Sequence, residues 1–193
     1  MKKILSLLVI TCILLTGCAN QKDVSTNIDN YVSDCQSVKN ASVLMPNLAD
    51  LGAYTELGYT YQVTCYSRFM GFYSDGLALF VKYDRENYEQ QKAHALSSYT
   101  FLAAPVMRSS DTYELPLTEF EYNSYLVKII PDDDYINFCA CKSFMMLGLN
   151  DDECVIAYLY YYDFDIDYIA EIDDDLNAEM IDLVDDAFTW VAL

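Results

Sequence analysis

The chain has 193 residues, in which 30 Asp and Glu face 11 Lys and Arg, for a formal net charge of −19. That balance excludes nucleic acid and anionic lipid headgroups as electrostatic partners, because phosphate recognition needs a basic footprint. The length suffices for one domain with a full core, and no internal repeat breaks it into smaller units.

The first element is apolar. Lys2 and Lys3 precede a run from Ile4 to Leu15 with Ser6, Thr11 and Cys12 as mild exceptions. Such a run would rise roughly 18 Å as a helix, short of a hydrocarbon core of about 30 Å. A basic start, a short apolar run and small residues at its end predict a secretory signal over residues 1–17. Leu15-Thr16-Gly17-Cys18 resembles the lipobox of bacterial lipoproteins: an aliphatic residue, two small residues and a Cys. The resemblance covers about the first 20 residues. It implies cleavage between Gly17 and Cys18, diacylglycerol on the Cys18 sulfur and Cys18 as mature N-terminus. Two acyl chains meet the two-signal requirement for stable anchoring. Ala19 follows the Cys; in a Gram-negative family member the lack of Asp there favours the outer membrane, and in a Gram-positive one the domain faces outward. With Lys2 and Lys3 removed, nine basic residues face thirty acids, so the mature charge is −21.

Residues 18–26 read as lipidated Cys and polar tether, and 27–193 as one globular domain. The tether Ala19–Thr26 reaches at most roughly 27 Å, which keeps the domain close to the bilayer. Ile28, Tyr31, Val32, Cys35 and Val38 repeat at helical spacing and predict a one-sided amphipathic helix with Cys35 on its buried face. Met45-Pro46 interrupts, and Asn47 to Tyr54 predicts a short helical turn closed at Gly52. From Tyr59 to Met70 the period becomes two, with Tyr59, Tyr61, Val63, Cys65 and Phe69 on the inner face and Thr60, Gln62, Thr64 and Arg68 outward. Ser74-Asp75-Gly76 reads as a turn, followed by alternation from Leu77 to Tyr83, so the two runs predict an antiparallel hairpin. Asp84 is placed to cap a helix with Tyr88, Ala95, Leu96 and Tyr99 inward and His94, the only histidine, on its polar flank.

Residues 103–118 read as a loop broken by Pro105 and Pro116. Phe120 to Ile130 predicts a strand whose phase slips at Asn123-Ser124, the mark of a bulge or bend. Pro131 and the acids Asp132, Asp133 and Asp134 end it. Phe138 to Leu149 and Cys154 to Ile166 then predict a strand pair about a three-residue turn, Asn150 to Asp152. In that register Leu149 faces Glu153, Cys154 faces Gly148 and Cys141 faces Tyr161, so Cys154 pairs with neither Cys139 nor Cys141. Between Val155 and Tyr161 both faces are apolar or aromatic, which predicts a central strand covered on both sides. Beyond Tyr162 the face carrying Asp163, Asp165 and Asp167 is expected to meet water. The last helix starts near Asp173-Asp174-Asp175. Its inner stripe is Leu176, Met180, Leu183, Val184, Ala187 and Val191, with Asp185 and Asp186 unfavourably close to its carboxyl end. The fold class is therefore α+β: a single domain with a mainly antiparallel sheet of about five strands, packed with an N-terminal, a central and a C-terminal helix.

No motif assigns chemistry to this domain. Ser74 lies in Gly71-Phe72-Tyr73-Ser74-Asp75-Gly76, which lacks the Gly-x-Ser-x-Gly elbow spacing, and His94 is the sole imidazole. Cys139-Ala140-Cys141 puts two thiols on one strand face without the further ligands zinc needs. Five Cys remain in the mature chain beside Cys18, an odd number, and small buried hydrophobes are the expected role of most of them. Asp163-x-Asp165-x-Asp167, with Glu171 and Asp174 beyond, resembles the start of a calcium loop. Tyr168 stands where that loop needs Gly, however, and Asp174 where it needs Glu. The 18 Tyr fit core filling better than a sugar-stacking platform, because most fall on predicted inner faces. Lipidation at Cys18 is thus the single assigned site, with no catalytic residue, metal or cofactor. The expectation is a membrane-anchored, extracytoplasmic lipoprotein, held by the lipid on Cys18 to the cell membrane or outer membrane. It would act as a non-enzymatic binding module toward an envelope protein or polysaccharide. The alternative is a cell-envelope hydrolase working through carboxylates or a lone Ser.

Overall fold

The strand from Val155 to Asp163 is buried at every position, as its two apolar faces require. The structure is a computed structural model that describes residues 21–67, 72–132, 142–164 and 166–193. Its strands are β1 (Gln21–Ser25), β2 (Glu56–Ser67), β3 (Phe72–Lys82), β4 (Val106–Met107), β5 (Thr112–Leu115), β6 (Glu119–Tyr122), β7 (Tyr125–Pro131), β8 (Lys142–Asn150), β9 (Val155–Asp163) and β10 (Ala170–Glu171). Four helices accompany them: α1 (Tyr31–Ser37), α2 (Ala41–Leu44), α3 (Arg85–Ser98) and α4 (Leu176–Ala187). The result is a single mixed α/β fold. Its main sheet has seven strands in the order β1-β2-β3-β9-β8-β7-β6, every neighbouring pair antiparallel. A small sheet, β10-β5-β4, lies beside it.

Helices α1 to α3 cover one face of the main sheet. Tyr31, Cys35, Val38, Ala41, Tyr88 and Ala95 pack there against Leu77, Leu79, Val81, Tyr158 and Tyr160. The other face takes Met180, Val184 and Ala187 of α4, with Leu115 and Ile169 from around the small sheet, over Ala78, Phe80, Phe144, Leu159 and Tyr161. The buried tyrosines do more than fill volume, because their hydroxyls tie the connecting segments to the sheet. Tyr31 donates to the Pro46 carbonyl at 2.6 Å, Tyr83 to Leu51 at 3.0 Å and Tyr160 to Lys39 at 2.5 Å. A Phe would fill the same space and leave those carbonyls unpaired.

Several elements depart from the sequence reading. Residues 21–25, expected in the tether, form edge strand β1 against β2, with Gln21 opposite Cys65. Ser74, Asp75 and Gly76 lie inside β3, opposite Asp163, Tyr162 and Tyr161 of β9, and make no turn. Gly76 is needed there for closeness: a Cβ on it would stand 1.9 Å from the Ala187 carbonyl oxygen, where α4 meets the sheet. The expected loop 103–118 contains β4 and β5, strands too short to show a period. The phase slip at Asn123-Ser124 is a two-residue hairpin turn, with φ of 47° and 68°, that splits the expected strand into β6 and β7. Asn150 pairs with Val155, so the β8–β9 turn is residues 151–154 and the expected register is displaced. Asn150 Oδ1 accepts from the Glu153 amide at 3.0 Å and Cys154 takes φ 56°, which opens the turn by a residue. Cys154 is a buried free thiol, while Cys139 and Cys141 lie outside the described residues, as do Cys18, the signal segment and Asp165. Gly52, with φ 70°, does follow the short helical turn Leu48–Asp50. Among the described residues no helix is long and apolar enough to cross a membrane.

Candidate functional site

The end of the sheet where β2 stops and β3 begins faces the flank of α4 across a cleft of about 380 Å³. Tyr66 of β2, Phe72 of β3, and Tyr161 and Asp163 of β9 supply the sheet side. Glu179, Asp182, Leu183 and Asp186 supply the helix side, and Ile166 and Ile169 close it from the segment after β9. The four helix residues are spaced i, i+3, i+4 and i+7, so one stripe of α4 presents three carboxylates around one leucine. This stripe runs beside the buried stripe of Met180, Val184 and Ala187. The cleft is within the volume range of small-ligand sites, and no Lys or Arg is among its described lining residues.

Asp163 is the buried acid of the cleft, 4 % exposed, and does not meet water as its alternation with Asp167 implied. Tyr161 Oη donates to its Oδ2 at 2.9 Å and the Ile166 amide to its Oδ1 at 2.9 Å. Burial, then the charge of Asp163, push the Tyr161 hydroxyl well above its ordinary range, so it stays protonated and donating. Tyr66 Oη lies 3.2 Å from Ser74 Oγ, and its pKa is also raised, chiefly by burial. Glu179 is raised by desolvation first and then by Asp174, Asp182 and Asp175. The cleft therefore joins an apolar floor to neutral hydroxyls and a rim of carboxylates, in which Glu179 feels the charge of Asp182 while Asp186 has Lys22 at 3.4 Å. Its chemistry suits a cation with an apolar body, since each carboxylate gains from a positive neighbour and each ring from a stacked chain or cation.

The other residues singled out by sequence are scattered. Ser74 is buried in β3 on the α4 face of the sheet, whereas exposed His94 sits on α3, which packs against the opposite face. Asp167 pairs with Arg108 at 2.8 Å. Glu171 accepts from Tyr168 Oη at 3.3 Å, and Asp174 Oδ2 accepts from the Glu171 amide at 2.6 Å. Among the described residues no group of three His, Cys, Asp or Glu side chains is placed to hold a metal. Asp132, expected to end a strand, follows β7 directly and is buried. It accepts from Ser143 Oγ at 2.9 Å, Tyr160 Oη at 3.1 Å and Asn40 Nδ2 at 3.2 Å. The acids near the carboxyl end of α4 find donors: Tyr122 Oη donates to Asp185, and Lys22 of β1 reaches the Asp185 carbonyl at 3.3 Å and Asp186 Oδ1 at 3.4 Å. That cation also offsets the negative end of the helix.

The cleft's ingredients are all present in the sequence, but their meeting is made only by the fold. The signal available was the second, acidic stripe of the last helix, at the same spacing as the apolar one. Compared with protein-family models, curated proteins and solved structures, the chain shows no match.

Proposed function

We propose that the chain is a lipid-anchored, extracytoplasmic binding module that takes a cationic group with an apolar body, such as a basic segment of an envelope protein, into the cleft beside α4. The observation that supports this reading is the gathering of Asp163, Glu179, Asp182 and Asp186 with Tyr66 and Tyr161 over Phe72, Ile166, Ile169 and Leu183. Asp163 is held by a hydroxyl and an amide, which favours recognition over proton transfer. The anchor is the lipid on Cys18, as the resemblance of residues 15–18 implies.

Calorimetric titration with a short peptide alternating Lys and Leu tests the cleft. Asp182→Asn with Asp186→Asn should weaken binding by about tenfold, or roughly 1.4 kcal/mol. Glu86→Gln with Glu89→Gln, an equal charge change on α3, should leave it unchanged. Affinity should fall as pH drops through the raised pKa of Glu179, because the protonated carboxyl no longer attracts the cation. Equal loss in both double variants would reduce the binding to non-specific attraction. Hydrolysis of an envelope polysaccharide that disappears in Asp163→Asn would put the hydrolase alternative in its place. For the anchor, Cys18→Ala should release the protein from membranes or leave it as precursor, and fractionation reads which. A fully cleaved Cys18→Ala protein still held in membranes would remove the lipoprotein assignment.

A further inference from the structure

The strand that follows the proposed anchor fixes which end of the sheet faces the lipid. Gln21, the first residue of β1, is level with Cys65 of β2, and Cys65 is level with Tyr73 of β3. Two strand spacings of about 4.8 Å separate β1 from β3, roughly 10 Å in all. Cys18 precedes Gln21 by three residues, at most about 10 Å of chain. The proposed lipid attachment point is thus within about 20 Å of Tyr73, whereas the far end of β3 at Lys82 is nine residues away, about 30 Å.

That near end carries an exposed aromatic pair. Tyr73 is 37 % exposed and Phe164 51 % exposed. Their rings stack with centroids 6.3 Å apart and planes at 4°, and the Phe164 amide donates to the Tyr73 carbonyl at 3.3 Å. The Tyr162 ring lies 6.4 Å from that of Tyr73, tilted by 45°. The two acids of the adjoining strand positions, Asp75 and Asp163, are buried and face tyrosine hydroxyls, so they do not repel a surface laid against this end. A stacked Tyr–Phe pair within reach of the proposed lipid anchor has the chemistry of the aromatic belts at membrane–water interfaces.

We infer that Tyr73 and Phe164 are a second membrane contact, seated in the headgroup region of a zwitterionic outer surface so that the sheet stands on its β1–β3 end. The inference rests on the lipid-anchor reading of Cys18. A zwitterionic surface is specified because a domain of charge −21 is repelled by anionic lipid. Held this way, the acidic cleft, lined by Tyr66 and Phe72 of the same strand ends, opens beside the bilayer.

The test uses the processed, lipidated protein in phosphatidylcholine vesicles with and without bromine on the upper acyl chain. The chain's only tryptophan, Trp190, packs on Phe80, Tyr122 and Tyr125 toward the opposite end of the strands, and is an internal reference. Phe164→Trp and, separately, Tyr73→Trp each add a reporter at the contact. Brominated lipid should remove more than half of the added emission and leave Trp190 emission unchanged in the parent protein. Vesicle-bound protein whose added tryptophan is not quenched would overturn the contact and leave the anchor standing. Quenching of Trp190 to the same extent would overturn it too, since the sheet would then lie flat. Protein that carries no acyl mass on Cys18 and stays in solution would remove both the anchor and the contact.

Discussion

Asp75 lies near the start of β3, with 6 % of its surface exposed, and its carboxylate accepts from Tyr61 Oη at 2.8 Å. Desolvation raises its pKa above the ordinary 3.8 and the charge of Asp163 adds to that, while the hydrogen bond from Tyr61 acts the other way. A folded-state pKa above the unfolded one means the native state binds the proton more tightly. The stability this confers is fully present below about pH 4 and is lost as pH rises through the raised value. Asp75→Asn keeps an acceptor for Tyr61 and removes the charge. Its stability relative to the parent protein should therefore improve steadily from pH 4 to pH 7. Urea unfolding of both proteins across that range gives the difference directly, and a difference that is flat in pH would mean that Asp75 is not a buried charge. Residues of this kind mislead because their types are those of turns. Ser74-Asp75-Gly76 has the composition of a hairpin tip, yet Gly76 is small for the Ala187 carbonyl and Asp75 is aimed at a tyrosine from the neighbouring strand.

At the scale of elements, the polar face of β2 is the instructive case. Thr60, Gln62 and Thr64 alternate with Tyr59, Tyr61 and Val63, so periodicity assigns the threonines and glutamine to water. All three are buried, because the carboxyl end of α4 lies on them. Gln62 Nε2 donates to the Asp186 carbonyl at 2.5 Å, Thr60 Oγ1 to the Thr189 carbonyl at 2.9 Å, and Thr189 Oγ1 donates back to Gln62 Oε1 at 2.8 Å. The last carbonyls of a helix have no partners of their own, and a polar strand face can cap them without water. Gln62→Leu should cost about 1–3 kcal/mol in urea unfolding, since the Thr189 hydroxyl loses its acceptor and the Asp186 carbonyl keeps only the Thr64 hydroxyl at 3.4 Å. A loss below about 0.5 kcal/mol would show that water replaces the amide there. Local signals are legible in the sequence: the cap Asp84, which accepts from the Asn87 amide, the acidic start of α4 at Asp175, the α1 stripe of Tyr31 and Cys35, and the fully buried β9. What escapes it depends on a partner more than a hundred residues away, as Gln62 does on Asp186, or on strands of two to four residues such as β4, β5 and β10. The cleft escapes for the first of these reasons, its two walls coming from β2–β3–β9 and from α4.

For the whole molecule, charge outweighs any single contact. A chain of net charge −19 repels itself, and added salt should screen that repulsion over a Debye length of about 10 Å at 0.1 M. Thermal stability should therefore rise with sodium chloride. The acids between Asp163 and Asp175 are the natural place to expect a divalent ion, but three of the described members of that run are engaged separately: Asp163 with Tyr161, Asp167 with Arg108, Asp174 with the Glu171 amide. Calcium is accordingly expected to add little beyond its greater screening. A selective native-state site would behave differently, because an ion at a hundred times its dissociation constant adds about 2.7 kcal/mol. For a domain of this size that is a shift of roughly 5–10 °C. Melting curves in millimolar calcium, against sodium chloride matched in ionic strength, separate the two outcomes. A calcium-specific shift of that size, weak with magnesium and gone in Asp165→Asn, would establish an ion site in this run. A common rise with both salts would mark the acids as a repelling surface, whose neutralisation by a basic partner is then the same physics that the cleft beside α4 concentrates at one place.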